Sequence, residues 1–158
     1  MNEQTPLYKT MKEAVSQTLE NMAFIEATEH YDQDYEIPGD DLTWAYLVVQ
    51  DPVPGEIRLA LSQSMLKNLT SSVFSLETEE ITEAQMKDIL HELLNTIAGL
   101  FMTKLLADNQ AYKIGLPEQG EGEMATAEPD TLIWKLMTSE EDPLQVQIAG
   151  SMLINYKS

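Results

Sequence analysis

Four residues between positions 88 and 99 share one spacing: Asp88, Glu92, Asn95 and Gly99. At about 100° per residue, a helix would gather them into a stripe roughly 60° wide. The apolar residues of the same segment, Ile89, Leu90, Leu93, Leu94, Ile97 and Phe101, centre on the opposite side, so the stripe is predicted to face outward. Glu92 and Asn95 stand at i and i+3 and point the same way. A carboxylate accepts hydrogen bonds and a carboxamide both donates and accepts, so together they can hold one water or one group of a partner. Gly99 is the odd member. Mid-helix glycine costs about 1 kcal/mol against alanine. An exposed face that keeps one is either frayed or closely approached by something. The same pattern also fits an ordinary solvated helix face.

Other chemistries can be set aside. His91-Glu-Leu-Leu-Asn95 is one residue from the HExxH zinc motif, but the second ligand is asparagine and no histidine follows to complete a site. Asp32-Gln-Asp-Tyr-Glu36 resembles the start of a calcium loop, yet its sixth position is Ile37 and its twelfth is Thr43, where glycine and glutamate are required. No glycine-rich phosphate loop is present. A Ser–His–Asp triad would have to use His30 or His91 and has no nucleophile signature. There is no cysteine, which removes disulfides, iron–sulfur clusters and thiolate chemistry. The acidic pairs Asp40-Asp41 and Glu140-Glu141 read as solvated turns, His30 as loop surface, and Trp44 and Trp134 as core. No metal or cofactor of its own is expected. The chain lacks a self-sufficient active site, so any catalysis must complete the site of another protein.

The charge balance narrows the partners. Lys plus Arg is 9 and Asp plus Glu is 27, a net charge of 9 − 27 = −18. That charge repels phosphate backbones and anionic membranes, so neither nucleic acid nor membrane is expected. The N-terminus has no basic region followed by an apolar one, and Leu93 to Met102 falls far short of the roughly 18 apolar residues of a bilayer span. A cytoplasmic protein with a single domain over residues 1–158 is expected.

The elements that must position the stripe follow from periodicity. Thr5-Pro6 reads as an N-cap and first helical position, with Tyr8, Met11, Val15, Leu19 and Met22 at helical spacing to about Ala27. Residues 28–42 read as a loop. Thr43 to Gln50 reads as a strand, Asp51 to Gly55 as a turn, and Ile57, Leu59 and Leu61 alternate as in a second strand of a hairpin. Met65 to Phe74 suggests a short helix. Thr82 to Gln85 matches a capping box, with Ile81 and Met86 placed for a hydrophobic staple, and opens a long helix ending near Asp108-Asn109. A short strand over Ala111 to Leu116, a loop over 117–130, and strands at Thr131 to Thr138 and Leu144 to Ala149 complete the order. This is α+β with a mostly antiparallel sheet. Met11-Lys12-Glu13 and Met86-Lys87-Asp88, 75 residues apart, hint at a duplicated helix-plus-strands unit.

The stripe, together with Ile97-Ala98-Gly99 and Gly115-Leu116-Pro117, resembles the signature of the CheC/CheX/FliY chemotaxis phosphatases. That pattern is Asp or Ser, three residues, Glu, two residues, Asn, then a downstream proline. Here 21 residues separate Asn95 from Pro117, one fewer than in the family pattern. Gly120 and Gly122 also suit it, and the order of elements is similar along nearly the whole chain. The resemblance implies a CheC-like fold, with two long helices packed on the sheet. Members with two sites carry the motif on both long helices; here Gln17 and Glu20 stand where Glu92 and Asn95 would repeat, which resembles the single-site, CheX-like members.

The resemblance further implies a phosphatase for the aspartyl phosphate of a CheY-type response regulator. The regulator would supply the phosphorylated Asp, Mg²⁺ and a lysine. Asn95 would orient the attacking water and Glu92 would engage the lysine, with Asp88, Gly99 and Pro117 supporting or touching the partner. A homodimer built through the sheets is also implied. Two other readings remain open: a non-catalytic regulator-binding module of the same fold, and a part of a flagellar switch.

Overall fold

The structure is a computed structural model that describes residues 6–29, 37–122, 124 and 130–156. Thr5, His30 and the Asp32–Glu36 segment lie outside the described residues. The first helix, α1 (Pro6–Ala23), opens on the proline expected at its first position. It stops four residues earlier than its periodicity suggests. Phe24 turns left-handed at φ 58° and its N–H donates to the Glu20 carbonyl, an αL-type cap on a non-glycine residue. The chain then forms a three-residue strand, β1 (Ala27–Glu29), across the expected end of the helix and the start of the stretch read as loop. So short a segment shows no period, and only its partner strand makes it one.

The hairpin appears as expected, with β2 (Leu42–Asp51) paired antiparallel to β3 (Gly55–Ser62). Helix α2 (Gln63–Phe74) follows, its N-cap Ser62 accepting from the Met65 N–H at 3.1 Å. A 3-10 turn (Thr78–Glu80) leads into the long helix α3 (Glu83–Leu105). The strand read over Ala111 to Leu116 is instead two short pieces, β4 (Lys113–Ile114) and β5 (Glu118–Gln119), the second within the predicted loop. Strands β6 (Thr131–Thr138) and β7 (Pro143–Ala149) lie where alternation placed them, and a short α4 (Ser151–Ile154) follows.

All described pairings are antiparallel, in the order β1-β6-β7-β3-β2-β4, with β5 also on β2. The order reads the same from either end. The hairpin of each half meets the other at the centre. The short strand following each long helix pairs with the hairpin of the opposite half. The duplicated unit hinted at by three matching residues is thus present in the topology.

One row of the sheet, Ala45, Leu59, Val146 and Trp134, crosses four strands in register, and every member is buried. Trp134 meets Tyr8 of α1 with ring centroids 6.2 Å apart, in a tilted aromatic pair. Met11, Val15 and Leu19 of α1, with Leu90, Leu94, Ile97 and Phe101 of α3, complete this core. The next row, Tyr46, Arg58, Gln147 and Ile133, points to the other face, where Arg58 Nη1 donates to Gln147 Oε1 at 2.9 Å. Trp44 lies on that second face, only half-buried, and is therefore not the core residue its strand position suggests.

Candidate functional site

The register of α3 is set at its start. Thr82 Oγ1 accepts from the Gln85 N–H at 3.1 Å, and Gln85 Oε1 accepts from the Thr82 N–H at 2.9 Å. Both donors would otherwise be orphaned at the helix end. Behind the helix, Ile89, Leu90, Leu93, Leu94, Ile97, Ala98, Phe101 and Met102 are buried. With one face held this firmly, the opposite face has no freedom of azimuth. Asp88, Glu92 and Asn95 are exposed there and Gly99 is half-buried.

The helix is continuous through Gly99, which excludes fraying as the reason for that glycine. A Cβ at Gly99 would meet only the Tyr112 hydroxyl, at 3.6 Å, an ordinary contact. Packing within the described residues therefore does not require glycine there. Glu92 Oε1 accepts from Thr96 Oγ1 at 3.3 Å, a bond within the helix that steadies the carboxylate. The Asn95 amide makes no hydrogen bond among the described residues, so its donor and its acceptor are both available.

Pro117 is not in the stripe. It lies on the rim of the sheet and lines a groove of about 860 Å³ beside the stripe, with Lys87 and His91 of α3, Trp44 and Tyr46 of β2, and Gln119. The groove carries opposed charges, Arg58 and Lys87 against Glu56, Glu118 and Glu121. The Glu118 carboxylate is the main influence pushing the Tyr46 phenol above its usual pKa. Burial, reinforced by the Lys87 ammonium, holds His91 below its usual pKa of 6.5, opposed by a hydrogen bond with Gln119 and by Asp88. His91 is therefore a neutral wall residue at neutral pH, with its Nε2 buried and without a partner among the described residues. Glycine is required at Gly120, where a Cβ would come within 2.2 Å of the Trp44 ring, and Trp44 Nε1 donates to the Gly122 carbonyl at 3.0 Å.

His91, Gln119, Trp44 and Tyr112 were not legible as site residues. Each acts through a contact with a distant segment, and spacing along the chain carries no signal for it. Gln17 and Glu20 are exposed on α1, at the positions that would repeat Glu92 and Asn95. Among the described residues, no group of three His, Cys, Asp or Glu stands together to hold a metal ion, and no helix is long and apolar enough to cross a membrane.

Residues 45–133, which span the hairpin, α3 and the rim, match the family described as chemotaxis phosphatase CheX. The chain belongs to the CheX family. No curated protein matches its sequence. Solved CheX structures share the fold at low identity. That of Desulfovibrio desulfuricans has a TM-score of 0.71 at 15% identity, covering 92% of this chain and 99% of its own. That of Vibrio vulnificus has a TM-score of 0.71 at 14% identity, covering 94% and 99%. A CheX–CheY–BeF3–Mg²⁺ complex from Borrelia burgdorferi has a TM-score of 0.68 at 21% identity, covering 89% and 95%.

Proposed function

We propose that this CheX-family chain hydrolyses the aspartyl phosphate of a CheY-type response regulator by inserting Glu92 and Asn95 into the regulator's active site. The observation that carries the reading is the presentation of both side chains on one exposed face of α3, one turn apart, with the Asn95 amide unpartnered among the described residues. The family match supports it, and so does the existence of a Borrelia burgdorferi CheX–CheY complex of the same fold.

The chemistry suits a helix with no acid, base or metal of its own. The substrate is a mixed anhydride of aspartate and phosphate. The water oxygen bonds to phosphorus as the bond from phosphorus to the aspartyl oxygen breaks. The carboxylate leaves with the electron pair, and the protons of the water pass to the released phosphate and through it to solvent. In a loose phosphoryl-transfer transition state, the nucleophile needs alignment more than deprotonation. Asn95 Oδ1 accepts from the water while Nδ2 donates beside it, fixing the line of attack. Glu92 pairs with the regulator's lysine and sets the depth of insertion. Mg²⁺ belongs to the regulator, where it neutralises phosphoryl charge. The work is confined to α3, because α1 presents Gln17 and Glu20 at the corresponding positions. A homodimer joined through the sheets belongs to the same reading.

The test is phosphate release from phosphorylated CheY-type regulators with and without this protein. At least tenfold acceleration is expected. Binding without acceleration would make the chain a sequestering module and overturn the catalytic reading.

A further inference from the structure

The rim between β4 and β5 holds a side chain that the catalytic reading does not use. Ile114 pairs with Val49 of β2, and Glu118 pairs with Tyr46. Between these pairs β2 places two residues, Leu47 and Val48, whereas the rim places three, Gly115, Leu116 and Pro117. The Gly115 N–H donates to the Val48 carbonyl at 2.7 Å, and Pro117 has no N–H to donate. One residue is therefore in excess, as in a β-bulge, a device that re-aims side chains at sheet edges. The residue left over is Leu116. It is 86% exposed, an unusual position for leucine on so acidic a chain.

Two contacts locate the bulge along α3. The Tyr112 hydroxyl donates to the Gly99 carbonyl at 3.4 Å, and Pro117, Glu118 and Gln119 line one groove with Lys87 and His91. The midpoint of 112–119 falls beside Leu116, and the midpoint of 91–99 is Asn95. Leu116 on the rim and Asn95 on α3 therefore fall between the same two attachments. Val48 of the neighbouring strand β2 and Tyr112 of the rim are also among the seven exposed large apolar residues of the described chain.

We propose that Leu116 is a docking anchor. In this proposal it enters an apolar depression bordering the phosphorylated aspartate of the response regulator and so holds Asn95 at the phosphoryl group. This rests on the phosphatase reading and adds a docking residue beside its Glu92–Asn95 pair. An apolar contact fits the charge of the chain: at −18, attraction between whole surfaces depends on the sign of the partner and is screened by salt, while a buried leucine is not.

The test compares Leu116→Ala and Leu116→Met with the wild-type chain, using a CheY-type regulator either phosphorylated or loaded with beryllium fluoride and Mg²⁺. Leu116→Ala is expected to raise KM and the Kd for the beryllium-fluoride form about tenfold or more. It should leave kcat at saturating regulator and Tm unchanged, because the residue is exposed in the free chain and touches neither the attacking water nor the phosphoryl group. Leu116→Met should restore most of the affinity. Wild-type KM and Kd in Leu116→Ala would overturn the anchor while leaving the phosphatase reading intact. A wild-type chain that binds without hydrolysing, and whose binding Leu116→Ala weakens, would sustain the anchor and overturn the catalytic reading.

Discussion

The Tyr112 hydroxyl donates to the Gly99 carbonyl at 3.4 Å, tying the rim of the sheet to the C-terminal end of the polar stripe on α3. The same hydroxyl is the nearest atom to the place a Gly99 Cβ would occupy, at 3.6 Å. The helix has room for a methyl group there, so its cost or benefit separates folding from docking.

Gly99→Ala should stabilise the fold by about 0.5–1 kcal/mol, since alanine loses less backbone entropy in a helix and meets no close atom. Thermal melts should show a higher Tm. Phosphate release should nevertheless fall several-fold if the regulator's backbone approaches this face. A more stable protein with undiminished activity would remove Gly99 from the docking surface.

Asn95→Ala should lower kcat roughly 10²-fold or more, the scale for one positioning group in a transition state. Stability should change by under about 1 kcal/mol, because the site is exposed and alanine favours helix. Binding to the beryllium-fluoride form of the regulator should largely persist. As the comparator on α1, replacing Gln17 and Glu20 together by alanine should keep the rate within about threefold. Rates near wild type for the Asn95 variant would end the case for a phosphatase.

Glu92→Lys should abolish productive docking by repelling the regulator's lysine, whereas Glu92→Gln should be milder because it removes attraction without adding repulsion. The gap between the two should narrow as ionic strength rises. Equal behaviour at low and high salt would show that Glu92 is not a charge partner.

The half-buried His91 makes a prediction about pH. Its folded pKa lies below the unfolded value near 6.5, so between the two the unfolded chain binds more protons. Its contribution to stability is fully present above about pH 6.5 and is lost as pH falls through the lowered folded value. Denaturant melts of wild type and His91→Gln across pH 5 to 8 should show a steeper acid-side decline in the wild type. Parallel curves would mean that His91 has no shifted titration.

The outward placement of Asn95 and Glu92 was legible in the sequence because a helix maps linear spacing onto azimuth. Once Thr82 and Gln85 cap α3 and its apolar face is buried, the stripe has only one direction to point. The β2–β3 hairpin was legible for a similar reason, since a period of two is local. By contrast, the end of α1 depended on Phe24 adopting a left-handed turn, which no flanking glycine signals. Strand β1 exists only because Ala27 to Glu29 meet Leu136 to Thr138 from the far end of the chain. The exchange of short strands between the two halves, the groove that His91 shares with Gln119, the Gly99–Tyr112 hydrogen bond, and the bulge that turns out Leu116 share that dependence. Each pairs segments whose separation along the chain leaves no periodic trace. Composition and spacing determined which helix carries the Glu92–Asn95 stripe and which way it faces, because capping and amphipathicity are local. What stands beside that helix was decided by tertiary structure alone, because strand register and contacts across the sheet edge are settled only when the whole core closes.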